Sequence, residues 1–180
     1  PQVHSWVPST GRPVAATARA QGTTLATIDP GGNWLWWFDD TDGDEHGVWR
    51  RQPFGSTPAR RYETPIDLPA SYPRGLLLGR DGTAVIGRGD ASYGTQIHAV
   101  GIGANRYGQD GPARIYSHPS WAAARALSHD NRLIAVEHSE HGDSRHPSIR
   151  VYRRDGRPVA DLDDGGERGL WALGFSPVLG

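Results

Sequence analysis

Asp29-Pro30-Gly31-Gly32 followed by Trp34-Leu35-Trp36-Trp37-Phe38 decides how this chain is read: a tight-turn signal, then five consecutive large apolar residues. The same layout returns at Gly79-Arg80-Asp81-Gly82 before Ala84-Val85-Ile86, and at Ser128-His129-Asp130-Asn131 before Leu133-Ile134-Ala135-Val136. A fourth copy begins at Phe175-Ser176-Pro177. The turns start at residues 29, 79, 128 and 176, at intervals of 50, 49 and 48, so the chain carries an internal repeat with a period near fifty residues.

Each period holds four short β-favouring segments with turn residues between them. In the first period they are Leu25 to Ile28, Trp34 to Phe38, Val48 to Arg51 and Ala59 to Tyr62; in the second, Gly75 to Leu78, Ala84 to Gly87, Gln96 to Val100 and Arg114 to Tyr116. The third runs Arg125 to Leu127, Leu133 to Glu137, Ile149 to Tyr152 and Val159 to Leu162. Only Trp121 to Leu127, taken alone, could pass for a short helix. Four strands per fifty residues predicts an all-β fold built of four-stranded antiparallel blades, as in a β-propeller. The second strand of a blade is sandwiched between neighbours, which accounts for Trp34, Trp36 and Phe38 on one face and Leu35 and Trp37 on the other.

Residues 2–16 and the segment from Leu170 to Phe175 fit the end of one blade and the first strand of another. The expected organisation is one partial propeller domain over 1–180: residues 1–17 end a blade, 18–66, 67–117 and 118–166 are full blades, and 167–180 start the next. The chain is expected to be an arc of a larger propeller.

Composition agrees with a turn-rich globular chain. The 180 residues include 24 Gly and 14 Pro, below the roughly 25–30% typical of low-complexity chains, and seven Trp, six Tyr and three Phe supply large buriable surfaces. A net charge of -1 argues against nucleic acid and membrane partners. Cys is absent, which excludes thiol catalysis, disulfides and Cys-ligated zinc and fits a reducing compartment. All 19 basic residues are Arg, as a GC-rich genome would give, and no apolar run reaches the length of a membrane span. A cytoplasmic location is expected, an export signal upstream of Pro1 being the open alternative.

The loops joining second and third strands concentrate carboxylates and imidazoles. They place Asp39, Asp40, Asp42, Asp44 and Glu45 in the first, Arg88 and Asp90 in the second, and Glu137, His138, Glu140, His141 and Asp143 in the third. These residues are the candidates for a rim facing substrate or a partner domain. Asp40, Asp42 and Asp44 alternate as calcium ligands do, but Gly43 comes too early for an EF-hand, so an acidic solvated hairpin is the expectation. His138, His141 and His146 lack the helical zinc spacing and read as a polar hairpin. Arg88-Gly89-Asp90 spells an integrin-type tripeptide and reads as part of a Gly-containing hairpin. The nearest string to a nucleophile elbow, Gly174-Phe175-Ser176-Pro177-Val178, lacks the final Gly. No catalytic residue, metal or cofactor is therefore expected on this segment.

The turns Asp-Pro-Gly-Gly, Arg-Asp-Gly-Thr and His-Asp-Asn-Arg, with the final Phe-Ser-Pro, resemble degenerate copies of the Ser-Pro-Asp-Gly turn of prolyl oligopeptidase family propellers and of TolB-type propellers. The stretches Trp36 to Glu45, Leu78 to Val85 and Ile134 to Asp143 are similar to the N-terminal propellers of bacterial acylaminoacyl-peptidase-like members of that peptidase family. The resemblance spans essentially the whole chain. It implies a parent in which the propeller gates peptide access to a C-terminal α/β-hydrolase domain, whose Ser, Asp and His would lie beyond Gly180 and hydrolyse peptides through an acyl-enzyme. The partners it implies are that hydrolase domain and a peptide substrate. The alternatives are a stand-alone TolB-like or WD-like propeller acting as an interaction or ligand-binding scaffold, and a metal-dependent lactonase or sugar-binding propeller.

Overall fold

The Asp-Pro-Gly-Gly turn and the aromatic run after it form a hairpin whose geometry is repeated along the chain. The computed structural model describes residues 1–40, 42–58, 62–102, 111–142, 144–165 and 167–177. In each of the first three repeats the carbonyl of the first turn residue accepts the N–H of the fourth: Gly32 to Asp29 at 2.9 Å, Gly82 to Gly79 at 3.2 Å and Asn131 to Ser128 at 2.8 Å. That fourth residue is left-handed every time, with φ of 73° at Gly32, 80° at Gly82 and 60° at Asn131. A turn closed by a left-handed residue is a common hairpin link, and Gly and Asn are the residues that adopt it cheaply. A side-chain oxygen then ties the turn to the strand that follows. Asp29 accepts from Trp34 N at 2.6 Å, Asp81 from Thr83 N at 3.0 Å and Ser128 from Leu133 N at 2.8 Å.

The fold is all-β, with thirteen strands in four antiparallel sheets and no α-helix among the described residues. Chain contacts divide it into two compact units, Pro1–Ser71 and Tyr72–Gly180. In the first unit, β1 (His4–Ser5) and β2 (Val14–Ala15) pair around a 3-10 turn at Pro8–Thr10, and β3 (Ala26–Ile28), β4 (Trp34–Asp40) and β5 (Gly47–Pro53) form a three-stranded sheet in chain order. Buried Gln52 joins the two pieces: it accepts from the Trp37 indole at 3.1 Å and donates to the Ala16 carbonyl at 2.9 Å.

The second unit contains two four-stranded sheets, each in chain order. One is β6 (Tyr72–Leu78), β7 (Thr83–Asp90), β8 (Gly94–Gly101) and β9 (Ala113–His118); the other is β10 (Ala122–Leu127), β11 (Leu133–His138), β12 (Ser148–Arg153) and β13 (Pro158–Leu162). Their shared core brings Val85, Ile97, Ala99 and Ile115 against Ala122, Ala124, Ile134 and Val136. β4, β7 and β11, the second strands of their repeats, are buried along nearly their whole length, whereas every residue of β13 is exposed. The apolar runs in the sequence are thus strands covered on both faces.

The expected fourth strand of the first repeat, Ala59 to Tyr62, lies outside the described residues except for Tyr62, which is not in a strand; beside it β5 makes a single bridge, between Arg51 and Glu63. A second expected strand is not formed. Leu170 to Phe175 is irregular, because no neighbouring strand among the described residues offers it a ladder, and Leu173 is fully exposed. A strand is a paired state, so β-favouring residues without a partner stay irregular.

The left-handed turn position gives a clean test. A Cβ at Gly32 would meet nothing within 4 Å, so Gly32→Ala should cost only the conformational penalty, about 1–2 kcal/mol. Gly32→Asn should cost clearly less, since Asn131 holds the equivalent place. Urea denaturation of the three proteins checks this.

Candidate functional site

The titratable side chains converge most densely beside the hairpin that follows β11. Glu140 accepts hydrogen bonds from the Tyr116 hydroxyl at 2.9 Å and from Arg150 Nη1 at 2.9 and 3.0 Å. Arg150 reaches on to Asp161, with Nε at 2.8 Å and Nη2 at 2.7 Å. Arg150 and Asp161 are direct cross-strand partners on β12 and β13, so the strand register itself makes this ion pair. Tyr116 comes from β9 of the other sheet, and its ring meets that of Tyr152 edge-to-face at 6.0 Å.

His138 is completely buried behind this network. Glu140 N donates to its Nδ1 over a long 3.5 Å, which leaves the neutral ring's proton on Nε2, 3.6 Å from Asp161. Burial holds the imidazole below its ordinary range, and Arg150 adds to this against the opposing pull of Glu140 and Asp161. For Glu140 burial acts upward, but the Tyr116 and Arg150 hydrogen bonds outweigh it and hold the carboxyl low. Burial, and then Glu140, pushes the Tyr116 hydroxyl up. Outside the network an open concavity of about 400 Å³ is lined by Arg150, Tyr152, Pro158, Val159, Ala160 and Asp161.

The groups of this cluster are engaged with one another and brace the two sheets. Glu140 already accepts from Arg150 and Tyr116 and stays ionised, and His138 has no route to solvent. Ser139, the nearest hydroxyl in sequence, donates to the Trp121 carbonyl at 3.1 Å. Ser176 lies in an exposed irregular segment and not on a strand-to-helix turn.

The other expected rim residues are dispersed. Asp39 is a buried strand residue clamped by Arg19 at 2.7 Å and Arg50 at 3.1 Å. Asp40 caps its own hairpin, accepting from Gly43 N at 2.7 Å, Asp44 N at 3.1 Å and Glu45 N at 2.9 Å. Desolvation opposes but does not overcome those N–H groups, which keep the Asp40 carboxyl low. Asp42, Asp44 and Glu45 are exposed in the same hairpin, Asp44 accepting from His46 N at 3.0 Å. Among the described residues, no group of three potential ligands is placed to hold a metal ion.

Arg88 and Asp90 lie at the end of β7. Arg88 is buried with its guanidinium over the Tyr93 ring, so the Arg-Gly-Asp string is not displayed on a loop tip, and Asp90 accepts from Ser92 N and Oγ at 2.8 and 2.6 Å. Glu137 is also a buried strand residue, bonded to Arg125 Nε at 2.6 Å and Ala172 N at 2.8 Å. His141 stacks edge-on to His138 at 6.0 Å, and Asp143 lies outside the described residues. Of the candidates among the described residues, His138, Glu140 and His141 come together in this cluster. Tyr116, Arg150, Tyr152 and Asp161 complete the cluster without having been expected. The signal for Arg150 and Tyr152 was in the sequence, since residues two apart in a strand share a face.

Compared with known proteins, the chain matches no family model, no curated protein and no solved structure. No helix among the described residues is long and apolar enough to cross a membrane.

Two measurements probe the cluster. Glu140→Gln should destabilise the protein by about 1–3 kcal/mol, and a double-mutant cycle with Arg150→Met should show coupling of similar size, measured by urea unfolding. His138 and the buried His98, which burial also holds low, are neutral in the folded state. An unfolded imidazole takes up a proton near pH 6.5 and the folded one does not, so stability should fall as the pH drops through about 6.5. His138→Gln should flatten that acid limb, as thermal melts between pH 5 and 8 would show.

Proposed function

We propose that this chain is part of the non-catalytic β-propeller of a prolyl oligopeptidase family serine peptidase, acting as a gate and scaffold for a C-terminal α/β-hydrolase domain. The observation that carries the reading is the repeat: antiparallel sheets in strict chain order, recurring with the left-handed turns at Gly32, Gly82 and Asn131. Sheets that follow one another in this way, with doubly buried second strands, are what successive propeller blades require. The family-like stretches at 36–45, 78–85 and 134–143 support the peptidase assignment over other propellers.

In this reading the division of labour follows from the side chains. The hydrolase domain supplies the Ser nucleophile, the His general base and the Asp that orients it, with backbone N–H groups holding the oxyanion. The present residues supply rigidity, and hairpins 39–46, 88–94 and 137–146 face the hydrolase domain or the substrate route. A cytoplasmic location belongs to the same proposal.

The test is activity-based labelling of the full protein containing these residues. A serine-directed fluorophosphonate should label it covalently, and aminoacyl or short peptidyl esters should be hydrolysed. Neither labelling nor hydrolysis would sink the peptidase reading and leave the stand-alone binding propeller.

A further inference from the structure

Three hairpin turns meet at one end of the second unit: 79–82 between β6 and β7, 128–131 between β10 and β11, and 153–157 between β12 and β13. Their contacts join them into one surface. Arg154 donates through Nη1 to Asp81 Oδ2 at 2.8 Å and to Thr83 Oγ1 at 2.7 Å, and its backbone N–H donates to the Arg132 carbonyl at 3.1 Å. The first two turns lie so close that a Cβ at Gly79 would be 2.7 Å from Asn131 Oδ1.

The two signs of charge are used differently on this surface. Each aspartate of these turns caps its own turn: Asp81 accepts from Thr83 N at 3.0 Å, Asp130 from Arg132 N at 3.2 Å and Ser128 Oγ at 2.6 Å, and Asp155 from Arg157 N at 3.0 Å. Among the arginines, Arg154 is engaged by Asp81, and Arg132 lies 3.7 Å from Asp130 with its side chain 79% exposed. Arg80, Arg153 and Arg157 are exposed, and among the described residues none of the three pairs with a carboxylate. Five arginines against three aspartates leave this surface a surplus of two positive charges, on a chain whose net charge is -1.

We propose that this end of the second unit is a docking surface for a protein segment carrying separated carboxylates. An exposed guanidinium presents parallel N–H groups that match the two oxygens of a carboxylate. Because the arginines are interleaved with aspartates, an unbroken row of phosphates would meet like charge between its favourable contacts, whereas separate acidic side chains need not. Nucleic acid binding draws on the neutralisation of many phosphates at once, which a surplus of two does not offer. The proposal rests on these three turns alone and is independent of the peptidase reading.

The experiment is fluorescence anisotropy with the whole protein and a labelled short peptide alternating Glu and Ser, against the same peptide with Gln in place of Glu and against oligothymidylate of equal charge. The Glu peptide should bind saturably, the Gln peptide should not, and added salt should weaken the binding. Arg80→Gln/Arg157→Gln removes an exposed guanidinium from each of two turns and should weaken binding about fivefold with the thermal melt unchanged. Arg145→Gln/Arg168→Gln removes the same charge at exposed positions outside these turns and should leave binding as it was. The proposal is overturned if the Glu peptide fails to bind saturably or binds no better than the Gln peptide, if oligothymidylate binds more tightly, or if the two double variants bind alike.

Discussion

Burial of the second strand of each repeat on both faces is the constraint from which the rest of the structure follows. Trp36 and Phe38 alternate with Leu35 and Trp37 along β4, so neither face of that strand can meet water without exposing large apolar area. β7 and β11 repeat the situation with smaller side chains, Val85 and Ile86 in one and Ile134 and Val136 in the other. In the second unit the solution is visible: two four-stranded sheets share one apolar core, in which alanines 122 and 124 of β10 let the sheets approach closely. The outermost strand, β13, has no such demand and is exposed throughout.

That constraint made much of the fold legible in advance. The period, the order of strands and the doubly apolar second strands could all be read from residues, because each has a local cause: a left-handed Gly or Asn, a side-chain oxygen that caps the hairpin, an uninterrupted apolar run. Strand ends were less legible. β4 runs on to Asp40 and β7 to Asp90, through polar residues that a hydrophobic pattern would assign to loops, because ladder hydrogen bonds continue as long as the partner strand does. Leu170 to Phe175 shows the converse. Its composition favours strand, but strand formation is decided by a partner that composition does not name.

The same distinction separates the expected site from the observed one. Clusters close in sequence were easy to list, yet most of their members are already engaged: Asp40 by its own hairpin amides, Asp90 by Ser92, and Glu137 by Arg125 and the distant Ala172 amide. The network that does form draws Tyr116, Glu140, Arg150 and Asp161 from segments spread over 46 residues, and it depends on the β12–β13 register and on the apposition of two sheets. Pairwise register between repeats could have given the Arg150–Asp161 pair, since cross-strand neighbours follow once the turn between them is placed. The contact between sheets could not have been found that way.

An all-arginine cation set has a consequence at the level of packing. Arg150 joins Glu140 and Asp161 with separate nitrogens, and Arg51 lies over Trp34 at 4.2 Å while pairing with Glu63. A lysine ammonium has neither the planar face nor the fork for such double duty.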